Sequence, residues 1–206
     1  MAEKKAKTGS VTSKDLSRPT YYFKAGGPQN TRKALELGRN RAKQLGIKTV
    51  LIPSTSGKSG VEALDVFKGK NMQLVIVTHH FGFKDRGKWE MDPKHVEALT
   101  KGGACIFAAS HALSGVERSF RGQFQGISLV EAIGQTLKHV FGQGIKVAIE
   151  ISIMCADAGF APADEDILAF GGTGTGIDTA VILRPSHMNS LFDLKVREIV
   201  AMPREH

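Results

Sequence analysis

The residues best suited to chemistry fall in four short runs, each behind an apolar segment. The first is Ser54-Thr55-Ser56-Gly57-Lys58-Ser59. Its hydroxyls donate hydrogen bonds, Gly57 lets backbone approach a ligand, and Lys58 adds positive charge. Where such a loop leaves a strand and opens a helix, free N–H groups and the helix dipole favour an anion. Gly57-Lys58-Ser59 also matches the end of a Walker A loop, but Ile52 stands where that motif needs its first glycine, which argues against a nucleotide triphosphatase. A polar turn capping a helix accounts for the same residues.

The second run is Thr78-His79-His80-Phe81. Adjacent histidines on a strand point to opposite faces, though at a strand end both can reach a cleft. Only Asp85 and Glu90 are near enough in sequence to complete a metal site, and no metal is expected. The third run is Ser110-His111-Ala112-Leu113-Ser114-Gly115-Val116-Glu117-Arg118. His111 can face the same cleft, while Ser114 and Glu117 have capping-box spacing. Ser110 and His111 are sequence neighbours, a poor geometry for a nucleophile and its base. The fourth is Gly171-Gly172-Thr173-Gly174-Thr175-Gly176, followed by Asp178. It is not a dinucleotide fingerprint, because a β-rich segment and not a helix follows. A glycine loop between two strands can wrap a ligand with its N–H groups, or be no more than a tight turn.

The elements that must position these runs alternate. A helix from Asn30 or Thr31 to about Leu45 ends at Gly46. Strands are expected at Lys48–Pro53, Gln73–Thr78, Ala104–Ala108, Asp166–Phe170 and Thr179–Leu183, with a last edge strand at Val196–Met202. Helices are expected at Gly60–Phe67, from Asp92-Pro93 to Gly102-Gly103, and over Ser114–Phe141 with a break near Gly122–Gly126. Val147–Ile153 alternates like a strand, but Gly142–Gly159 is too long for one and is read as helix. This order predicts a three-layer α/β/α sandwich with a mostly parallel central sheet. Ligands bind such sheets beyond the carboxyl ends of strands, which is where all four runs fall.

The formal charge is +8. Within the first 18 residues, Lys4, Lys5, Lys7, Lys14 and Arg18 face only Glu3 and Asp15, so residues 1–20 read as a disordered basic tail. The remaining excess is dispersed, with no aromatic-and-basic stripe, and nucleic acid is not an expected partner. No apolar run approaches the ~20 residues of a membrane span, nor does one follow Met1-Ala2-Glu3-Lys4-Lys5, so a cytoplasmic protein is expected. Cys105 and Cys155 lie in apolar contexts and read as small buried hydrophobes.

Val50-Leu51-Ile52 leading into Ser56-Gly57, and Asp166–Phe170 leading through a glycine loop into Thr179–Leu183, resemble the C-terminal α/β domain of pyruvate kinase. Thr78–Phe83, Ser110–Arg118, Ala156-Asp157-Ala158-Gly159 and Gly171–Gly174 are similar to the stand-alone version of that domain, and the resemblance spans about Tyr21–Pro203. It implies a phosphorylated ligand: a sugar-phosphate effector in the full kinases, flavin mononucleotide (FMN) in the stand-alone family. By the resemblance, Ser54, Thr55, Ser56, Gly57, Lys58 and Ser59 hold the phosphate, and Thr78, His79, His80, His111, Gly172, Thr173 and Gly174 line the remainder. Phosphoryl transfer in the kinases belongs to a barrel of about 250 residues, which does not fit here, so no kinase activity is implied. An effector-sensing module, a flavin enzyme with His79, His80, His111 or Asp157 moving protons, and a homo-oligomerisation module remain as alternatives.

Overall fold

The computed structural model describes residues 17–69 and 71–206. Most of the expected basic tail, residues 1–16, lies outside them. Seven strands form one sheet: β1 (Tyr21–Ala25), β2 (Thr49–Pro53), β3 (Gln73–His79), β4 (Cys105–Ala109), β5 (Ile167–Gly171), β6 (Thr179–Arg184) and β7 (Lys195–Glu205), in the order β1-β7-β6-β5-β2-β3-β4. The β2, β3, β4 and β5 pairings are parallel; β6 alone opposes its neighbours, and β1 pairs parallel to β7. The sheet is therefore mostly parallel, as expected.

Successive residues of β2 enter different cores. Val50 and Ile52 pack with α1 (Thr31–Leu45), α2 (Lys58–Phe67) and α3 (Pro93–Lys101), whereas Leu51 packs with α6 (Gln143–Asp157). This alternation, repeated along β3 and β5, makes the three layers. Helix α1 buries Ala34, Leu35, Gly38 and Ala42 along one face and ends in left-handed Gly46. A methyl on Gly38 would lie 2.5 Å from Phe170 Cζ, so α1 approaches β5 closely. Asp92 caps α3, its carboxylate accepting from the Lys94 N–H at 3.0 Å, with Pro93 as the first helical residue.

Three details differ from expectation. The strand at Val196–Met202 is longer, Lys195–Glu205, and lies between β6 and β1 rather than at the edge. The edge is β1, where only Phe23 is buried, so its sequence carries no alternation. The capping box does not form at Ser114–Glu117: α4 (Glu117–Phe124) begins at Glu117 without a side-chain cap, which puts Glu117 two positions too early to reach back. Its carboxylate instead accepts from the Glu131 N–H at 3.1 Å. The side-chain cap belongs to α5 (Leu129–Phe141), where Ser128 Oγ accepts from the same N–H at 3.3 Å.

Between Gly144 and Ala156, α6 buries all but two of its residues, against the sheet on one side and α5 on another. A helix covered on most sides is apolar around its circumference, which explains the strand-like alternation of its sequence. Among the described residues no helix is long and apolar enough to cross a membrane. Phe170 is fully buried, edge-on to Phe67 at 6.3 Å, where both α1 and α2 meet the sheet. Phe170→Ala should lower unfolding free energy by about 3–5 kcal/mol. Urea denaturation checks this: the midpoint should fall with little change in slope.

Candidate functional site

A cavity of about 370 Å³ opens at the carboxyl ends of β2, β3 and β5, with α6 as its wall. Residues from all four runs meet there: Ser54, Thr55, Ser56 and Ser59; Thr78 and His79; His111; Gly172, Gly174, Thr175 and Gly176. Gly57, Lys58, His80 and Thr173 do not line it. Each of these four has another place. Lys58 is exposed, and the His80 ring engages the Phe81 carbonyl at 2.7 Å. The Thr173 N–H donates to Asp178 at 2.9 Å, away from the cavity. Gly57, at φ 89°, opens α2 so close to α3 that any side chain would overlap His95.

The first loop is pinned from both sides. Ser54 N–H donates to the Val77 carbonyl at 2.9 Å, and Thr78 Oγ1 donates to the Thr55 carbonyl at 3.2 Å. The Ser56 carbonyl accepts from the Asp92 N–H at 3.2 Å and lies 2.8 Å from His95 Nδ1. Ser54 Oγ accepts from the Gly60 N–H at 3.1 Å, and Ser56 Oγ from the Lys58 N–H at 3.5 Å. Ser59, between them, keeps a first-turn N–H that neither hydroxyl takes. The loop thus presents neutral donors at a helix N-terminus, an anion-favouring arrangement that does not use the Lys58 charge.

Across the cavity, the glycine loop is held by a buried carboxylate. Asp178 Oδ2 accepts from the Gly27 N–H at 3.0 Å and the Thr173 N–H at 2.9 Å, while Oδ1 accepts from Thr179 Oγ1 at 2.9 Å. At the base of the loop, a side chain on Gly171 would overlap the Gly144 carbonyl and one on Gly172 the Gly176 carbonyl. Glycine is required there by close backbone approach.

His79 is the best-oriented titratable group. Its Nδ1 lies 2.7 Å from Glu90 Oε2 and its Nε2 3.4 Å from Thr55 Oγ1, with the ring against Phe83 at 3.9 Å between centroids. The Glu90 carboxylate fixes the proton on Nδ1 and leaves Nε2 toward the loop and cavity. The His111 ring is 5.0 Å from that of His79. Burial pushes His111 down to about 4; Glu150 opposes this, and His79, Lys146 and Arg118 add to it. His111 is therefore neutral near neutral pH.

The α6 wall was not legible as part of a site. Gln143, Val147, Glu150, Ile151 and Met154 line the cavity, and their helical spacing with one carboxylate in an apolar run was the available signal. Glu150 is 2% exposed; its Oε2 is paired with Lys146 Nζ at 2.6 Å and its Oε1 accepts from the Leu113 N–H at 3.0 Å. The role of Glu90 as the partner of His79 was likewise missed. Cys155 is buried and Cys105 half-buried; both are free thiols, and burial first, then Cys105, pushes Cys155 up to about 12. No model of a known protein family matches the chain.

His111 has a consequence for stability. Its folded value, about 4, lies below the ordinary 6.5, so the unfolded chain takes up the proton first as pH falls. This group costs nothing above 6.5 and destabilises progressively between 6.5 and about 4. A His111→Gln variant should therefore lose less stability than the parent across that window. Urea unfolding of both proteins at several pH values checks this, and parallel curves would contradict it.

Proposed function

We propose that the cavity binds a phosphorylated small molecule, FMN foremost, in a protein related to the stand-alone pyruvate kinase C-terminal domains and without kinase activity. One observation carries the reading: the Ser54–Ser59 and Gly171–Gly176 loops, paired by that resemblance as ligand loops, border one cavity with an α6 wall between them. Ser54, Ser56 and Ser59 would take the phosphate with hydroxyl and backbone donors. Val147, Ile151 and Met154 offer an apolar surface to a flat ring. A volume of about 370 Å³ falls near the lower end of the 300–1,000 Å³ range of small-molecule sites. The reading goes with a cytoplasmic location, supported by the two free cysteines.

Titration of the purified protein with FMN, followed by flavin fluorescence, is the direct test. Binding at micromolar flavin is expected. The double change Ser56→Ala and Ser59→Ala should weaken it by about tenfold or more, through loss of hydrogen bonds to a charged group. Lys58→Ala should weaken it less, since that side chain is exposed and outside the cavity lining. Absence of flavin binding, with protection against thermal unfolding by fructose bisphosphate, would transfer the cavity to a sugar-phosphate effector.

The Glu90–His79–Thr55 chain favours a second reading, in which the bound flavin serves catalysis and His79 moves a proton to or from a substrate. A His79→Gln variant that binds flavin normally and turns over an identified substrate at the parent rate would remove it.

A further inference from the structure

A second cavity, of about 250 Å³, adjoins the first along α6 and shares Gln143 and Val147 with it. Its charged lining comes from three helices: Arg118 and Arg121 from α4, Glu131 and Lys138 from α5, and Lys146 from α6. Two of the cations are already paired. Lys146 holds Glu150 at 2.6 Å, and Arg121 holds Glu131 Oε1. The other two are not. Arg118 lies over the Phe83 ring, 4.6 Å from its centroid, and neither it nor Lys138 makes an ion pair among the described residues. The cavity therefore has surplus positive charge from two directions.

Glu131 adds a separate requirement. The residue is 5% exposed, and its Oε2 is buried with no hydrogen-bond partner. Buried carboxylate oxygens without a donor are rare because water has been removed and nothing replaces it. A simple anion in this cavity would satisfy Arg118 and Lys138 but would set lone pairs against Glu131.

We propose that this second cavity binds an oxyanion that also carries an O–H donor, the chemistry shared by orthophosphate and hydroxyl-bearing phosphate esters. The anionic oxygens accept from Arg118 and Lys138, as charge-assisted bonds. The O–H donates to the Glu131 carboxylate, which lines the cavity. Near neutral pH sulfate has similar size and charge but no O–H, so Glu131 disfavours it; the carboxylate selects by repelling the wrong anion. The site is separate from the one assigned above and stands whether or not a flavin occupies that cavity.

An amide-resolved NMR titration of the full chain separates the two sites, because α5 signals report the second cavity and signals of residues 54–59 the first. Orthophosphate, glycerol phosphate and sulfate are added in turn at matched ionic strength near neutral pH. Orthophosphate or glycerol phosphate should shift α5 signals, and whichever binds more tightly identifies a free anion or an ester as the occupant. Sulfate should bind there at least about tenfold more weakly. Glu131→Gln should erase that discrimination, since an amide can donate to either anion. If that variant does not fold, Lys138→Ala decides the matter: Lys138 is exposed, so its loss should spare the fold and weaken phosphate binding at α5 several-fold. Equal affinity for sulfate, still α5 signals at millimolar phosphate, or undiminished binding by Lys138→Ala would each overturn the proposal.

Discussion

The close approach of α6 to the end of β5 sets the dimensions of the site. The Gly144 carbonyl lies where a Gly171 side chain would be, and a side chain on Gly144 would overlap Thr179 Oγ1. Two backbones and one side chain meet with no room for a single added methyl. This contact holds the first turn of α6 against the base of the glycine loop. Everything further along α6 is then placed by helical geometry: Val147, Ile151 and Met154 reach the first cavity, and Lys146 reaches the second. A larger residue at position 144 or 171 would push the helix outward and open both cavities together.

Sequence pattern revealed most of the architecture because a parallel sheet covered on both faces demands continuous apolar strands, and β2, β3, β5 and β6 have them. It did not reveal β1, for a physical reason: an edge strand with one buried side chain has no pattern to read. The length of Gly142–Gly159 marks α6 as a helix, since its near-complete burial removes the helical periodicity that would otherwise have marked it. Among the site residues, loop membership was legible because unusual residue types cluster there. Side-chain direction was not. Gly57 and Thr173 belong to loops that border the cavity, yet one serves packing against His95 and the other hangs on Asp178. A partner far along the chain, such as Gly27 for Asp178, depends on topology that no local spacing encodes, and Glu90, though near His79 in sequence, is brought to it by the course of the intervening loop.

The capping-box spacing shows how a sound local signal can be outvoted. Ser114 and Glu117 have the right separation, but the helix begins at Glu117, and its carboxylate finds the Glu131 N–H of another helix. Ser128 and Glu131 have the same separation, and there the serine does cap. Even so, Glu131 does not reach back, because its side chain is drawn to Arg121. In the first case the start of the helix puts Glu117 out of reach of its local amide; in the second a charged partner outside the turn competes for the carboxylate, and the charge-assisted bond is the stronger.

Charge is divided between the two cavities in an unequal way. The first is lined by His79, His111 and Glu150 and by no lysine or arginine, so an anion there must rely on hydroxyls and the N-terminus of α2. The second concentrates four cationic side chains around one carboxylate. The Lys146–Glu150 pair joins them, with its cation lining one cavity and its anion lining the other. Neither partner can be removed without leaving an uncompensated charge beside a cavity, Glu150 in one case and Lys146 in the other. Since Glu150 is almost fully buried, its loss of Lys146 would be the costlier change, and the first cavity would feel it through an unpaired carboxylate beside the neutral His111. The two cavities are thus electrostatically coupled through one turn of α6.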